Sequence, residues 1–133
     1  MQEKQNSIRV LLAGNPNCGK TTLFNRLTGD NQYVGNWPGV TVEKRTGQCL
    51  TGDRLLMITD LPGVYSLYPY SPEEAIADRF LHEKEAEVVI DVVDATNPER
   101  NLYLTMQLLE RKLPVIVALN MMDELQKHGD RVD

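Results

Sequence analysis

Eight consecutive residues near the start of the chain have the types and spacing of a phosphate-binding loop. Residues 14–21 (GNPNCGKT) match the pattern G-x-x-x-x-G-K-[ST]. Backbone N–H groups of such a loop, with the N-terminus of the next helix, hold phosphates, and Lys20 balances charge near the β and γ groups. Thr21 offers a hydroxyl to Mg²⁺. The alternative is an incidental glycine-rich turn. The predicted nucleotide contacts here are Gly14, Asn15, Pro16, Asn17, Cys18, Gly19, Lys20, Thr21 and Thr22.

A second motif, Asp60-Leu61-Pro62-Gly63, follows a predicted strand. A carboxylate at Asp60 can hold Mg²⁺ through water, and the N–H of Gly63 can sense a γ-phosphate. Leu61 and Pro62 complete the predicted contact segment. The sequence D-x-P-G is also common in ordinary turns, so this motif alone leaves both interpretations open.

A third motif, Asn120-Met121-Met122-Asp123, resembles the N-K-x-D element of GTPases with Met in place of Lys. Asp123 can accept the N1–H and the 2-amino hydrogens of guanine, a pair that adenine does not present. Asn120 would brace the phosphate loop, and Met121 could lie on the base. The alternative is a helix N-cap formed by either polar residue. Because the three motifs occur in the right order, each after its own strand, they jointly predict a guanine nucleotide site with Mg²⁺.

The elements that must position these motifs alternate between strands and helices. Short apolar runs predict strands over residues 8–13, 88–93 and 115–119. Residues 42–50 and 55–59 are predicted to be the two strands of a hairpin, joined by a turn at 51–54. Helices are predicted over 20–28, stopped by Gly29, and from Ser71 to about His82. Another begins at Asn97-Pro98, where Leu102, Met106, Leu109 and Leu113 recur at helical spacing. Residues 30–40 show neither the helical nor the strand period of apolar residues and are predicted to be a mobile loop. The result is an α/β fold with a doubly wound, mainly parallel sheet and an antiparallel hairpin.

Composition and charge restrict the class of protein. A chain of 133 residues fits one domain, and 41% hydrophobic residues with 25% charged ones are typical of a globular protein. The net charge of −5 argues against nucleic acid as a partner. No apolar run is long enough to cross a bilayer, and the first residues lack a signal peptide, so we expect this segment in the cytoplasm.

Five segments together resemble the G domain of the ferrous iron transport protein B family, a P-loop GTPase domain of Ras-like fold. They are residues 14–24 (GNPNCGKTTLF), 34–44 (VGNWPGVTVEK), 59–67 (TDLPGVYSL), 94–105 (DATNPERNLYLT) and 120–123 (NMMD). The resemblance itself extends over nearly the whole chain. The resemblance implies a cytoplasmic domain that hydrolyses GTP to GDP. It also implies a helical domain and a membrane region in the same transporter, which carries Fe²⁺ inward. The sequence leaves open whether the protein forms a homo-oligomer.

The resemblance also assigns roles to the first switch. Thr41 would complete Mg²⁺ coordination, with Gly39 and Val40 beside the nucleotide. Val64 stands just after Gly63, where Ras-like proteins place a water-orienting glutamine, and it cannot hold water by hydrogen bonding. In this family a K⁺ ion beside the phosphates assists hydrolysis instead. The resemblance implies that Asn17 and the carbonyls of Gly35 and Trp37 bind it here. Asn17 could instead only shape the loop. The implied catalytic residues are Asn17, Lys20, Thr41 and Gly63.

The family's fifth nucleotide motif follows a further strand, so the resemblance predicts that residues 1–133 are a single G domain truncated at its carboxyl end. Two other functions stay open. One is a regulatory module that exchanges GDP and GTP but hydrolyses too slowly to matter, which Val64 favours. The other is a related GTPase of ribosome assembly, against which the acidic charge and residues 35–39 (GNWPG) argue.

Overall fold

The computed structural model describes residues 7–83 and 86–120. Nine elements lie in these ranges. They are β1 (Ser7–Gly14), α1 (Lys20–Thr28), β2 (Gln32–Asn36), β3 (Glu43–Thr51), β4 (Arg54–Asp60), α2 (Pro72–His82), β5 (Val88–Asp94), α3 (Pro98–Glu110) and β6 (Val115–Asn120).

The strands form one mainly parallel sheet in the order β2-β3-β4-β1-β5-β6. Strand β1 pairs in parallel with β4 and β5, and β5 pairs in parallel with β6. The β3–β4 hairpin and the β2–β3 pair are antiparallel. The predicted fold class is therefore confirmed. The carboxyl ends of β1, β4, β5 and β6 meet at one edge of this sheet, where the three motifs begin.

Helices cover both faces of the sheet. On one face, Phe24 of α1 packs on Val10, Leu12 and Ile58. On the other face, α2 and α3 bury the largest cluster, which includes Leu11, Leu61, Val64, Leu81, Val89, Leu104 and Leu108. No helix in the described part of the chain is long and apolar enough to cross a membrane.

The prediction of a mobile loop over residues 30–40 is wrong for Gln32–Asn36, which forms edge strand β2. Its backbone pairs with β3 from Gln32 opposite Gly47 to Asn36 opposite Glu43. No residue of β2 is fully buried on either face, so the strand needs no apolar alternation. Backbone pairing, which leaves no mark in the hydrophobic pattern, decides its structure.

Helix α3 occurs where it was predicted, but Leu102, Met106 and Leu109 are exposed. The buried positions are instead Asn101, Leu104, Thr105 and Leu108. Two of these face polar partners in the core: the Thr105 hydroxyl donates to Asp91, and Asn101 Oδ1 accepts from the backbone N–H of Asp94. Polar contacts with β5 therefore fix which side of α3 faces the sheet. Asn97 stands at the N-cap position, but its side chain makes no capping hydrogen bond.

Candidate functional site

The phosphate loop connects β1 directly to α1. The predicted helix bounds are confirmed, with Lys20 as the first helical residue and Gly29 after the last. Asn17 and Gly19 have positive φ angles of 63° and 89°, which turn the loop back on itself. A Cβ on Gly14 would lie 2.7 Å from Cys18 Sγ and 2.9 Å from the Val92 carbonyl, so only glycine fits there. The phosphate loop therefore makes a tight turn between the end of β1 and the N-terminus of α1.

Lys20 connects this loop to the second motif. Its Nζ donates to Asp60 Oδ1 and to the carbonyl of Leu61, the latter at 2.7 Å. Both side chains of the Lys20–Asp60 ion pair are more than nine-tenths buried. Burial raises the pKa of Asp60, and the Lys20 ammonium opposes that rise. In this conformation the predicted phosphate-binding cation and the predicted Mg²⁺ carboxylate neutralise each other.

The residues that follow Asp60, which we call the second switch, lie directly on the phosphate loop. A Cβ on Gly63 would lie 3.0 Å from Pro16 Cα, and the Val64 N–H donates to the Gly14 carbonyl at 3.0 Å. The Val64 side chain is buried in the apolar core, away from the loop. It therefore cannot orient a water molecule in the site.

A cleft of about 680 Å³ opens at the phosphate loop. One of its lining residues, Glu73, was not among the predicted site residues. Glu73 reaches the cleft because it lies in the first turn of α2, whose start is fixed by Pro72 and by the Ser71 side chain accepting from Glu74 N–H. The capping pattern predicted this helix start, but only the packing of α2 shows that the turn faces the loop. The lining residues are Asn15, Pro16, Asn17, Gly19, Lys20, Thr21, Thr22, Gly63 and Glu73.

The predicted first-switch residues do not line this cleft. Residues 37–40 (WPGV) form a type II turn, with Gly39 at φ 78° and the Val40 N–H donating to the Trp37 carbonyl at 3.3 Å. The Trp37 N–H donates to the Val42 carbonyl at 2.9 Å, which extends the β2–β3 pairing. Thr41 is exposed, and Gly35 pairs with Lys44 in the ladder. The structure therefore brings neither Thr41 nor the Gly35 and Trp37 carbonyls to the phosphate loop.

The third motif reaches the loop through Asn120. Its Nδ2 donates to the Cys18 carbonyl at 3.0 Å, across 102 positions of sequence. This is the brace that the sequence predicted. Met121 and Asp123 lie outside the described residues. Burial raises the pKa of the Cys18 thiol, which disfavours the reactive thiolate.

The donor set fits Mg²⁺ held largely by water and phosphate. The described residues contain no group of three or more His, Cys, Asp or Glu side chains that could hold a metal. Mg²⁺ commonly takes one or two protein oxygens beside substrate phosphates and keeps several waters. Thr21 lines the cleft, and Asp60 contacts its lysine neighbour. Asn15 is also buried here, with no hydrogen-bond partner for either side-chain polar atom among the described residues, so the loop holds spare polar capacity.

Comparison with known proteins gives a consistent result. The family model described as ferrous iron transport protein B matches residues 8–133. The chain is 58% identical over 128 residues to the Fe(2+) transporter FeoB of Legionella pneumophila strain Paris, covering 93% of the chain and 17% of that protein. It is 56% identical over 127 residues to an Fe(2+) transport protein A/Fe(2+) transporter FeoB fusion protein of Porphyromonas gingivalis, covering 95% and 15%. The chain thus spans less than a fifth of these relatives.

Solved structures agree in fold. A GDP-bound variant of the S. thermophilus FeoB G-domain superposes with a TM-score of 0.91 at 54% identity, covering 95% of this chain and 48% of that one. The G domain of the T. maritima FeoB iron transporter gives 0.90 at 47% identity, covering 96% and 77%. The cytosolic domain of L. pneumophila FeoB gives 0.87 at 60% identity, covering 91% and 48%.

Proposed function

The chain belongs to the ferrous iron transport protein B family, and we propose that it is a G domain that binds GTP with Mg²⁺ and hydrolyses it to GDP and phosphate. The observation that carries this proposal is the pair of contacts made by the phosphate loop. Lys20 bonds to Asp60 of the second motif, and the Cys18 carbonyl accepts from Asn120 of the third. Three motifs separated by up to 102 positions therefore converge on one loop. The GDP in the S. thermophilus structure supports the choice of nucleotide.

The residues divide the nucleotide between them. The backbone N–H groups of residues 15 and 17–21 and the Lys20 ammonium would hold the phosphates, which carry most of the charge. Thr21, Asp60 acting through water, and Thr41 would hold Mg²⁺, which neutralises charge between the β and γ phosphates. The Gly63 N–H would report a γ-phosphate. Asp123, outside the described residues, would select guanine.

Binding would then weaken two internal contacts. A phosphate would compete with Asp60 for the Lys20 ammonium, which would free the carboxylate to hold Mg²⁺-bound water. The Val64–Gly14 hydrogen bond holds the second switch against the loop, and Gly63 must shift to meet a γ-phosphate. A triphosphate would bias both contacts in the same direction, as in other GTPase switches.

Hydrolysis needs help that Val64 does not give, because its apolar side chain can neither hydrogen-bond to the attacking water nor stabilise charge. We infer that K⁺ supplies it, held by Asn17 and by the carbonyls of Gly35 and Trp37. Asn17 lines the cleft at a left-handed turn of the loop. A cation beside the phosphates would stabilise charge that develops during cleavage, as an arginine finger does. The second candidate is a switch module that hydrolyses too slowly to matter, which the buried Val64 favours.

In the whole protein, residues 1–133 would be one G domain on the cytoplasmic side of the membrane. The helical and membrane-spanning parts of the same transporter would be its partners, and Fe²⁺ would be the cargo carried inward. The names of the relatives and their greater length support this arrangement.

The test compares GTP turnover of the full-length protein in K⁺ and Na⁺ for wild type, Asn17→Ala and a control, Asn31→Ala. Asn31 is exposed and does not line the phosphate cleft. Losing one preorganised electrostatic contact commonly costs about 2.7–4 kcal/mol, so Asn17→Ala should slow turnover in K⁺ roughly a hundredfold or more. GDP affinity should change little, since Lys20 and the backbone remain. Equal wild-type rates in K⁺ and Na⁺ would refute the role of K⁺ and favour the slow switch.

A further inference from the structure

Trp37, the only tryptophan of the chain, holds the first switch against helix α2. Its ring is 6% exposed and meets the Phe80 ring edge to face, with centroids 5.2 Å apart at 75°. The Lys44 ammonium lies 4.6 Å from the Trp37 centroid and 5.9 Å from that of Phe80. Both geometries are attractive, because a ring has a negative face and a positive edge. We call the contact of Phe80 and Lys44 with this ring the indole seat.

The indole seat fixes the backbone of the first switch as well as the ring. While Trp37 is seated, its carbonyl accepts from the Val40 N–H and its own N–H donates to Val42. Thr41 lies between these two hydrogen bonds and is exposed. Under the proposed function, the Trp37 carbonyl must face K⁺ and Thr41 must face Mg²⁺. The turn over residues 37–40 therefore competes with assembly of the catalytic site.

The seat is also incompletely satisfied. The indole Nε1 of Trp37 is buried with no hydrogen-bond partner among the described residues. A buried donor without a partner offsets part of the stability gained by packing the ring. A cavity of about 230 Å³, lined in part by Trp37, Ile76 and Phe80, lies beside the ring. The seated arrangement is thus held by specific contacts, while its unpaired indole N–H lowers the cost of releasing the ring.

We propose that Phe80 is a positioning residue for the first switch. Through its contact with Trp37, Phe80 restrains this segment in the arrangement that keeps the Trp37 carbonyl away from K⁺. This proposal rests on the proposed function above. Helix α2 carries Phe80 in its last turns and Glu73, at the phosphate cleft, in its first. The seat therefore ties the first switch to the helix that follows the second switch. K⁺ and GTP would act partly by pulling Trp37 out of this seat.

Removal of the seat should lower the K⁺ concentration needed for activation. Apparent affinity falls with the fraction of molecules that are competent to bind, so releasing Trp37 raises that fraction. Loss of one aromatic pair corresponds to roughly a two- to tenfold change in such an equilibrium. In full-length Phe80→Ala we expect the half-activating K⁺ concentration to fall by that factor, with kcat at saturating K⁺ unchanged. Phe80→Tyr should behave as wild type. Lys44→Met should shift K⁺ activation in the same direction without leaving a cavity.

Tryptophan emission gives a readout that does not depend on turnover, with Trp37→Phe subtracted to isolate this ring. In wild type the Trp37 emission should move to longer wavelength when a non-hydrolysable GTP analogue with K⁺ replaces GDP. In Phe80→Ala it should already be shifted with GDP. If turnover is K⁺-dependent but the Trp37 emission is the same in every state and variant, the seat has no role and the proposal fails. If Phe80→Ala and Lys44→Met shift the emission while no cation supports turnover, the seat is upheld and the proposed function fails.

Discussion

The hydrogen bond from Asn120 to the phosphate loop gives the most direct test of how the site is assembled. Asn120 Nδ2 donates to the Cys18 carbonyl at 3.0 Å, and among the described residues no other side-chain hydrogen bond joins β6 to this loop. Asn120→Ala removes one neutral, partly buried hydrogen bond, which contributes about 0.5–1.5 kcal/mol. Because the loop must hold its shape to bind phosphates, GDP affinity should fall roughly two- to tenfold.

The assay is isothermal titration of the full-length protein with GDP and with IDP, whose base lacks the 2-amino group. A brace acts on the loop and not on the base, so Asn120→Ala should weaken both nucleotides by the same factor. Asn120→Asp is the matched variant, since it keeps the size of the side chain but cannot donate. A loss above a hundredfold for GDP, or a changed ratio of GDP to IDP affinity, would show that Asn120 contacts the base itself and would refute the argument.

Three further outcomes follow from the contacts and charges of the chain. Lys20→Ala should weaken GDP binding by about ten- to hundredfold, the effect of losing a charge-assisted contact of 1.5–3 kcal/mol, and an unchanged affinity in titration would contradict the loop assignment. Asp123→Asn should shift preference from guanine toward xanthine nucleotides; wild-type protein in which ATP competes as well as GDP would overturn that assignment. Burial raises the pKa of the Asp91 carboxyl above 3.8, so the folded protein loses stability as pH rises through that raised pKa. The hydrogen bond from Thr105 stabilises the ionised carboxylate and limits that loss. Thr105→Val should therefore lower the free energy of unfolding by about 1.5–3 kcal/mol at pH 7 and by less near pH 4; urea melts that show the same loss at both pH values, or an equal loss in Thr105→Ser, would contradict this.

Local sequence determines some elements of this fold completely. Helix α1 begins at Lys20 and ends before Gly29 as predicted, because a loop glycine, a helical apolar face and a glycine stop all agree. Helix α3 shows the limit of such reasoning. Leu102 and Met106 repeat at helical spacing, but so do Leu104 and Leu108, and only the second pair is buried. Period alone cannot choose between two apolar faces; contacts with β5 do.

The candidate site divides in the same way. A bracing role for Asn120 could be predicted from its motif, although only the structure identifies the Cys18 carbonyl as its partner. The resting position of a side chain could not. Lys20 pairs with a carboxylate 40 positions away, and the Trp37 carbonyl closes a turn. The acceptor of Lys20 and the donor to the Trp37 carbonyl are whichever groups lie nearest in the folded chain. The sequence of each motif is compatible with several such groups.

The contacts that Lys20 already makes within the protein affect how tightly this site should bind a nucleotide. Lys20 is not a free cation awaiting phosphate, because Asp60 and the Leu61 carbonyl already bind it. A nucleotide that displaces these contacts therefore gains only the difference between its own contacts with Lys20 and those that Lys20 gives up. Under the proposed function, Mg²⁺ would reduce that opposition, because it would give Asp60 a new positive partner as Lys20 leaves. Phosphate and metal should then bind cooperatively: GDP affinity should fall on removing Mg²⁺ in wild type, but much less in Asp60→Asn, whose neutral side chain no longer holds Lys20 by charge. An equal dependence on Mg²⁺ in both proteins would show that the Lys20–Asp60 pair does not oppose binding.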